Sequence, residues 1–448
     1  MTFFTSVCAT LGTASALLAT RAAADQLPSA PVDLAPLRED QQRLSERLDA
    51  LESRVSGRIT GYLDFGFFAV QGDGSGIRPD TGHERFPEYA GADGVPDTWV
   101  FLGDPLSTAI NARGEPADTG PSRAIAYDPV DSHGKSSFIV NALDLALFAG
   151  LGPDLTLNGL VDFVPRSRNI AVKNDTGVGD FLDVKLAYAE YTLPIARADV
   201  RIYAGKIDST VGIEYRVQES PDRIGVTPSL ICRYTCGRPL GIKVRARLPE
   251  DVVALAVSVT NGTHFVETFP FHDEIDSNQG KTVAGRLSVR LPVGSGIELG
   301  GSGAYGAQDQ QPQRDLAQWH AGADLHAELH DFDLRAEYVQ GRAPGRADEA
   351  GLPCGAAPCL KYKGAYGQLA LRASNAIIPY VRVDWRDARH RDGASFVYES
   401  QLMRATGGLR VELGTSAIVK AEYTLNHELG RLPQIPNDVF TSSLVIKY

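Results

Sequence analysis

The chain has 448 residues, 43% hydrophobic and 22% charged, with 45 glycines, 26 prolines and a formal net charge of −11. The acidic balance, with no basic domain, argues against a nucleic-acid partner. Past the N-terminus no run of eighteen apolar residues offers a membrane helix. A globular chain of this length should carry several long helical patterns, and only one is found.

Residues 1–24 read as a secretory leader. Phe3 to Ala19 is mostly apolar, and Ala22-Ala23-Ala24 supplies small residues before a cleavage point at Asp25, although no Lys or Arg precedes the apolar core. Pro28, Pro31 and Pro36 mark a linker. Leu37, Leu44 and Leu51 then recur seven apart, with Gln41, Leu48 and Val55 at the alternate seam positions. This heptad pattern is too short to be stable alone. It predicts a short coiled-coil helix within residues 25–56, made of three chains; the other reading is a helix lying on the surface of the rest of the protein.

From Gly57 the period changes to two, the geometry of a strand. In residues 57–70, Ile59, Leu63, Phe65 and Phe67 share one face and Arg58, Thr60, Tyr62 and Asp64 the other. A Gly-, Pro- and Asp-rich segment runs from there to Lys135, and loops that long are usually functional. Alternation returns at 138–148, 155–164, 181–192, 200–207, 240–248, 252–260, 282–291 and 297–305. It continues at 318–329, 332–339, 362–373, 377–386, 402–413, 417–426 and 439–448. Short connections such as PED, HD and GTS alternate with long ones at 71–136, 166–180, 208–238, 262–280, 307–316, 341–361, 387–400 and 427–438. A soluble sandwich gives no reason for that regularity. It predicts an all-β chain: a transmembrane antiparallel barrel of about sixteen strands over residues 57–448, both termini on the short-turn side.

In the last segment, VFTSSLVIKY, Phe440, Ser442, Leu444, Ile446 and Tyr448 share a face. Pairing it with the first strand removes every sheet edge, and lipid makes such closure obligatory. This segment resembles the last strand of bacterial outer-membrane barrels, which usually end on Phe or Trp, and it implies an outer-membrane location.

With lipid outside, the polar faces line the lumen. Leu240, Ile242, Val244, Ala246 and Leu248 then face lipid, and Lys243, Arg245 and Arg247 face inward, joined by Arg286 and Arg290. These five share their strand faces with no acid and form a candidate anion-attracting wall. Arg335, Arg372, Arg382, Arg386, Arg404, Arg410 and Lys420 are further lumen candidates. Acids Asp324, Glu328, Asp333, Glu337, Asp384, Glu412 and Glu422 share those walls, so the charges there are expected to pair across strands without a ligand role. His320, Asp324, His326, Glu328 and His330 also face inward. A metal held by His326, Glu328 and His330 is disfavoured by strand spacing, and pH-responsive lumen charge is the better reading. Cys8 falls in the leader. Cys232 with Cys236 and Cys354 with Cys359 are expected as two disulfides in outward loops rather than a zinc site, since the pairs lie in separate loops. No Gly-x-Ser-x-Gly elbow occurs, so no catalytic residue or cofactor is expected.

One stretch carries more than pattern. Tyr188 and Glu190, Gly205-Lys206, Gly212 and Glu214, then Gly237, Pro239 and Gly241, and Asn261-Gly262 follow one another in order. Together with the N-terminal heptads, this resembles porins of the phosphate-selective type and related sixteen-stranded putative porins. The resemblance implies a homotrimeric, water-filled channel for passive diffusion of small hydrophilic solutes or inorganic anions, set in outer-membrane lipid. It also implies an inward loop that narrows the pore, by position 208–238. The family's cationic ladder has no residue-by-residue match here, so phosphate specificity is not implied. A barrel enzyme and an adhesive or structural barrel are the alternatives.

Overall fold

The computed structural model describes residues 56–70, 136–163, 182–195, 198–248, 252–261, 279–291, 296–307, 317–343, 360–372, 374, 376–392, 395–430 and 438–448. The leader, the heptads, the 71–135 segment and the Cys354/Cys359 pair lie outside the described residues.

The strands are β1 (Ser56–Val70), β2 (Ser137–Gly150), β3 (Leu155–Phe163), β4 (Leu182–Leu193), β5 (Asp199–Lys206), β6 (Leu240–Arg247), β7 (Val253–Asn261) and β8 (Lys281–Leu291). They continue with β9 (Ile297–Ala307), β10 (Ala317–Leu329), β11 (Phe332–Ala343), β12 (Leu360–Leu371), β13 (Ile377–Asp392), β14 (Ser395–Leu413), β15 (Ala417–Glu428) and β16 (Val439–Lys447). Each pairs antiparallel with its sequence neighbours, and β1 pairs with β16, so the sixteen strands form a closed barrel. At the seam Gly61 and Tyr448 exchange both backbone hydrogen bonds at 3.0 Å. The Tyr448 hydroxyl donates to the Asp144 carbonyl at 3.0 Å. A side chain at Gly61 would strike that carbonyl and the Tyr448 ring.

The faces follow the alternation. On β6, Ile242 is 55% exposed to the outside while its neighbour Lys243 is 8% exposed. Leu255, Val257 and Val259 on β7 and Val283, Leu287 and Val289 on β8 extend the apolar exterior. Among the described residues no helix is long and apolar enough to cross a membrane; the strands do so.

Three strands depart from strict alternation; on β14 the extra residue is Val397, since His390 pairs with Tyr398 and Arg391 with Phe396. Asp64 pairs with Ala142 and Phe65 with Val140, which leaves Asn141 as an extra residue. Leu160 pairs with Leu186 and Val161 with Val184, which leaves Lys185 extra. Such bulges re-aim a side chain. Counting by twos from Tyr188 and Glu190 would send Lys185 toward lipid; the bulge buries it inside instead. The expected long loop at 387–400 is also different. β13 and β14 run on to Asp392 and Ser395, which pair with each other, so this connection is a strand extension rather than a loop.

Candidate functional site

The connection between β5 and β6, residues 207–239, folds into the barrel. It carries a single turn of 3₁₀ helix (Glu214–Val217) and one helical turn, α1 (Cys232–Thr235). Its apolar residues Ile207, Ile213, Ile224, Val226, Leu230 and Ile231 are all buried, so apolar side chains of the loop sit in what the strand pattern marks as a polar lumen. The wall accommodates it. Ile224 packs with Ala370, Ile378 and Tyr380, and Ile231 sits where Gly364 leaves room. The Tyr234 ring stacks on Tyr362 at 3.8 Å between centroids.

Polar wall residues hold the loop's backbone. Glu337 on β11 accepts from Ile213 N at 3.0 Å and Glu214 N at 3.2 Å. Asp384 on β13 accepts from Leu230 N at 3.1 Å. Glu422 on β15 accepts from Val226 N at 2.8 Å and Thr227 N at 3.0 Å. In the opposite sense, Lys420 donates to the carbonyls of Ser220, Arg223 and Gly225. Arg382 donates to the Thr227 and Pro228 carbonyls and to the Thr227 hydroxyl, and Arg410 to the Arg223 carbonyl. These contacts lie near the middle of the strands, so the loop crosses the lumen at mid-height.

Glu219 is the loop's ionic anchor. It accepts from Lys185 Nζ at 2.6 Å and Tyr62 Oη at 2.6 Å, and pairs with Arg238 at the loop's far end. Burial alone would raise its carboxyl, but Lys185 and Arg238 outweigh that and hold it well below the usual carboxylate range. Ser220 beside it donates to Asp64 on β1.

The loop leaves a cavity of about 430 Å³ against β4 to β8, toward the short-turn end. Its lining includes Tyr188, Tyr203, Tyr215, Arg216, Lys243, Arg245, Arg247, Arg286, Glu190 and Asp208. Lys243 Nζ donates to the Asp208 carbonyl at 3.0 Å and lies over the Tyr203 ring at 5.1 Å. Arg245 makes no carboxylate ion pair among the described residues and lines the cavity together with Arg247 and Arg216. Arg216, on the loop, meets Glu298 at 3.2 Å.

No family model matches the chain, and no curated protein matches it. Among solved structures, the outer-membrane channel DcaP of Acinetobacter baumannii is 10% identical, with a TM-score of 0.50 over 89% of this chain and 98% of that one. OmpF of Salmonella typhi, solved with daunomycin, is 9% identical, with a TM-score of 0.50 over 88% of this chain and 97% of that one. The fold is that of the outer-membrane porins. With the closed sheet and its apolar exterior, it places the barrel in the bacterial outer membrane.

Against that geometry several expectations change. The five-cation wall is not free of acids, because neighbouring strands supply what their own strands lack. Arg286 is buried and paired with Asp324 on β10 at 2.5 Å and Glu298 on β9 at 2.8 Å. Arg290 stands opposite Glu298 in the register and is exposed. The later-strand charges pair across strands only in part. Arg372 meets Asp333 and Arg404 meets Asn426 across strands, while Arg335 meets Asp333 on its own strand. Arg386 is buried. Arg382 and Arg410, however, pair with Asp384 and Glu412 and hold the loop as well. Cys232 and Cys236 are disulfide-bonded, but in the inward loop and buried against Tyr215 rather than in an outward one. His326 faces Asp333 at 3.4 Å and Glu328 at 3.7 Å instead of His330. With Arg335 and Arg372 already on Asp333, that cluster is poor for a metal. The anchor residues Lys185, Glu219 and Arg238 escaped the sequence reading. Lys185 was hidden by its bulge, and the other two sit in a loop without periodicity.

Proposed function

We propose that the protein is a porin, a water-filled channel for passive diffusion of small hydrophilic solutes with a preference for anions, and that it assembles as a homotrimer. The observation that carries this reading is the loop seated across a closed barrel, with Arg216, Arg245 and Arg247 together in the lining of the cavity beside it. Clustered cations in a confined aqueous passage concentrate anions and repel cations. The chain's net −11 does not oppose this, because charges beyond roughly 8–10 Å are screened at physiological salt.

The test is planar-bilayer conductance with reversal potentials in asymmetric salt. Chloride preference at low salt, fading at high salt, is expected. Absence of conductance sinks the channel reading, and potassium preference at low salt sinks the anion preference. Native mass spectrometry in detergent tests the trimer, and the same measurement after Leu44→Asp and Leu51→Asp tests a contribution of the N-terminal heptads to it.

A further inference from the structure

The wall of β7 to β10 differs from the rest of the lumen. Toward the long-loop end its inward side chains are small and uncharged. Ser258, Ala284, Ala304 and His320 stand side by side in one row of the register, and Thr260, Thr282, Gly306 and Gln318 in the next. Thr210, Val211 and Tyr234 of the inward loop border this wall without filling it, and a cavity of about 80 Å³ remains. A single water needs only ~10–15 Å³. The cavity lies on the long-loop side of the cationic one and has the opposite character: among the described residues no Asp, Glu, Lys or Arg lines it. Two of its lining side chains carry buried polar atoms with no hydrogen-bond partner, His320 Nε2 and Thr282 Oγ1, and each residue is 6% exposed. His320 Nδ1 meets the Tyr362 hydroxyl at 2.6 Å, and the Thr210 hydroxyl donates to Ser258 Oγ at 2.8 Å.

A charged solute would lose its hydration in this cavity and meet no countercharge in return. A purely apolar one would leave the imidazole and hydroxyl unsatisfied. A hydroxyl group both donates and accepts, so it suits Thr282 Oγ1 and either tautomer of His320. The threonine methyls, the two alanines and the Tyr234 ring give the carbon skeleton an apolar surface. We propose that the cavity is a binding site for a small uncharged polyol, of the size of glycerol or erythritol. The proposal rests on the diffusion-channel reading, in which such a polyol is one of the hydrophilic solutes that pass. It gives the channel two differently tuned stations beside one loop, a neutral one toward the long loops and a cationic one toward the short turns.

The experiment uses the full-length protein in an amine-oxide detergent, without glycerol or sugar-headed detergents that would compete. Erythritol is titrated and its binding read by saturation-transfer NMR, for the parent, Thr282→Val and Ala284→Ile. No bilayer is involved, so a protein that binds erythritol but does not conduct, or conducts but does not bind it, separates this site from the channel reading. Thr282→Val removes an oxygen that has no partner in the protein, so the fold should be unaffected. Saturable binding by the parent, weakened about 3- to 10-fold in Thr282→Val, supports the site. Loss of binding in Ala284→Ile, which fills the cavity, supports it as well; should that variant fail to fold, Thr282→Val alone decides. No saturable binding by the parent, or equal affinity in the parent and Thr282→Val, overturns the proposal. So does erythritol binding that glycerate displaces, which would put the solute among the cations of the other cavity.

Discussion

Removing the Glu422 carboxylate should release the middle of the inward loop while the barrel stays closed. Its oxygens accept from Val226 N at 2.8 Å, Thr227 N at 3.0 Å and Thr441 Oγ1 at 3.3 Å, and from the Tyr380 hydroxyl. Only the two backbone bonds hold the loop. A hydrogen bond to a charged group contributes roughly 1.5–3 kcal/mol, and water entering from the lumen replaces part of each. Glu422→Ala should therefore raise the docked loop by about 2–3 kcal/mol. At about 1.4 kcal/mol per decade, that multiplies its opened population on the order of 30- to 100-fold. Glu422→Gln, which keeps one acceptor oxygen, should fall between parent and alanine. Hydrogen exchange read by mass spectrometry on peptides covering 220–230 reports the opening directly. Exchange there as slow as in the parent would refute the seat. An equal rise in β15 and β16 would show that Glu422 supports the wall rather than the loop.

The other predictions concern neighbouring parts of the same arrangement. Gly212 has φ 71° and lies against the Glu337 carboxylate, so Gly212→Ala should cost about 2 kcal/mol and speed exchange in 210–217. Arg286→Gln leaves Asp324 and Glu298 short of one cation beside the cavity, so it should move reversal potentials toward cations. It should also cost about 3–5 kcal/mol in urea unfolding by stranding a buried Asp324. Arg245→Glu with Arg247→Glu should reverse ion preference at low salt with little change in melting. Glu219 has a depressed carboxyl in the folded state, so it contributes stability above the unfolded value of about 4.3 and loses it as pH falls through the folded one. The melting difference between parent and Glu219→Gln should hold from about pH 7 to about pH 5 and shrink progressively in stronger acid.

The barrel was legible because its physics is periodic. Each strand buries one face in lipid, so Ile242, Val244 and Lys243 declare their sides by position alone, and short turns alternating with long loops give the strand number. Bulges break that count by one residue, so the inward placement of Lys185 and Asn141 could not be read from it. Hairpin length failed at β13 and β14 for a related reason: beyond the lipid, neither face need be apolar, so HRDGASFVYES carries no alternation to follow. The pairing of Arg286 with Asp324 needed the register between three strands, which no single strand's pattern contains.

The lumen's charges make sense only with the loop in place. Glu337, Asp384 and Glu422 sit on alternate strands, β11, β13 and β15, and each accepts loop N–H groups, while Lys420, Arg382 and Arg410 receive loop carbonyls. A buried backbone must have its donors and acceptors satisfied, and here the wall does for the loop what water would do in an open pore. Those six charges are therefore committed to structure, and their balance of three acids and three bases leaves little net field. Beside the loop, Arg245 lines the cavity together with Arg247 and with Arg216, which Glu298 holds. Selectivity should accordingly follow substitutions at these three residues, and substitutions along β11 to β15 should change how firmly the loop is held before they change which ion passes.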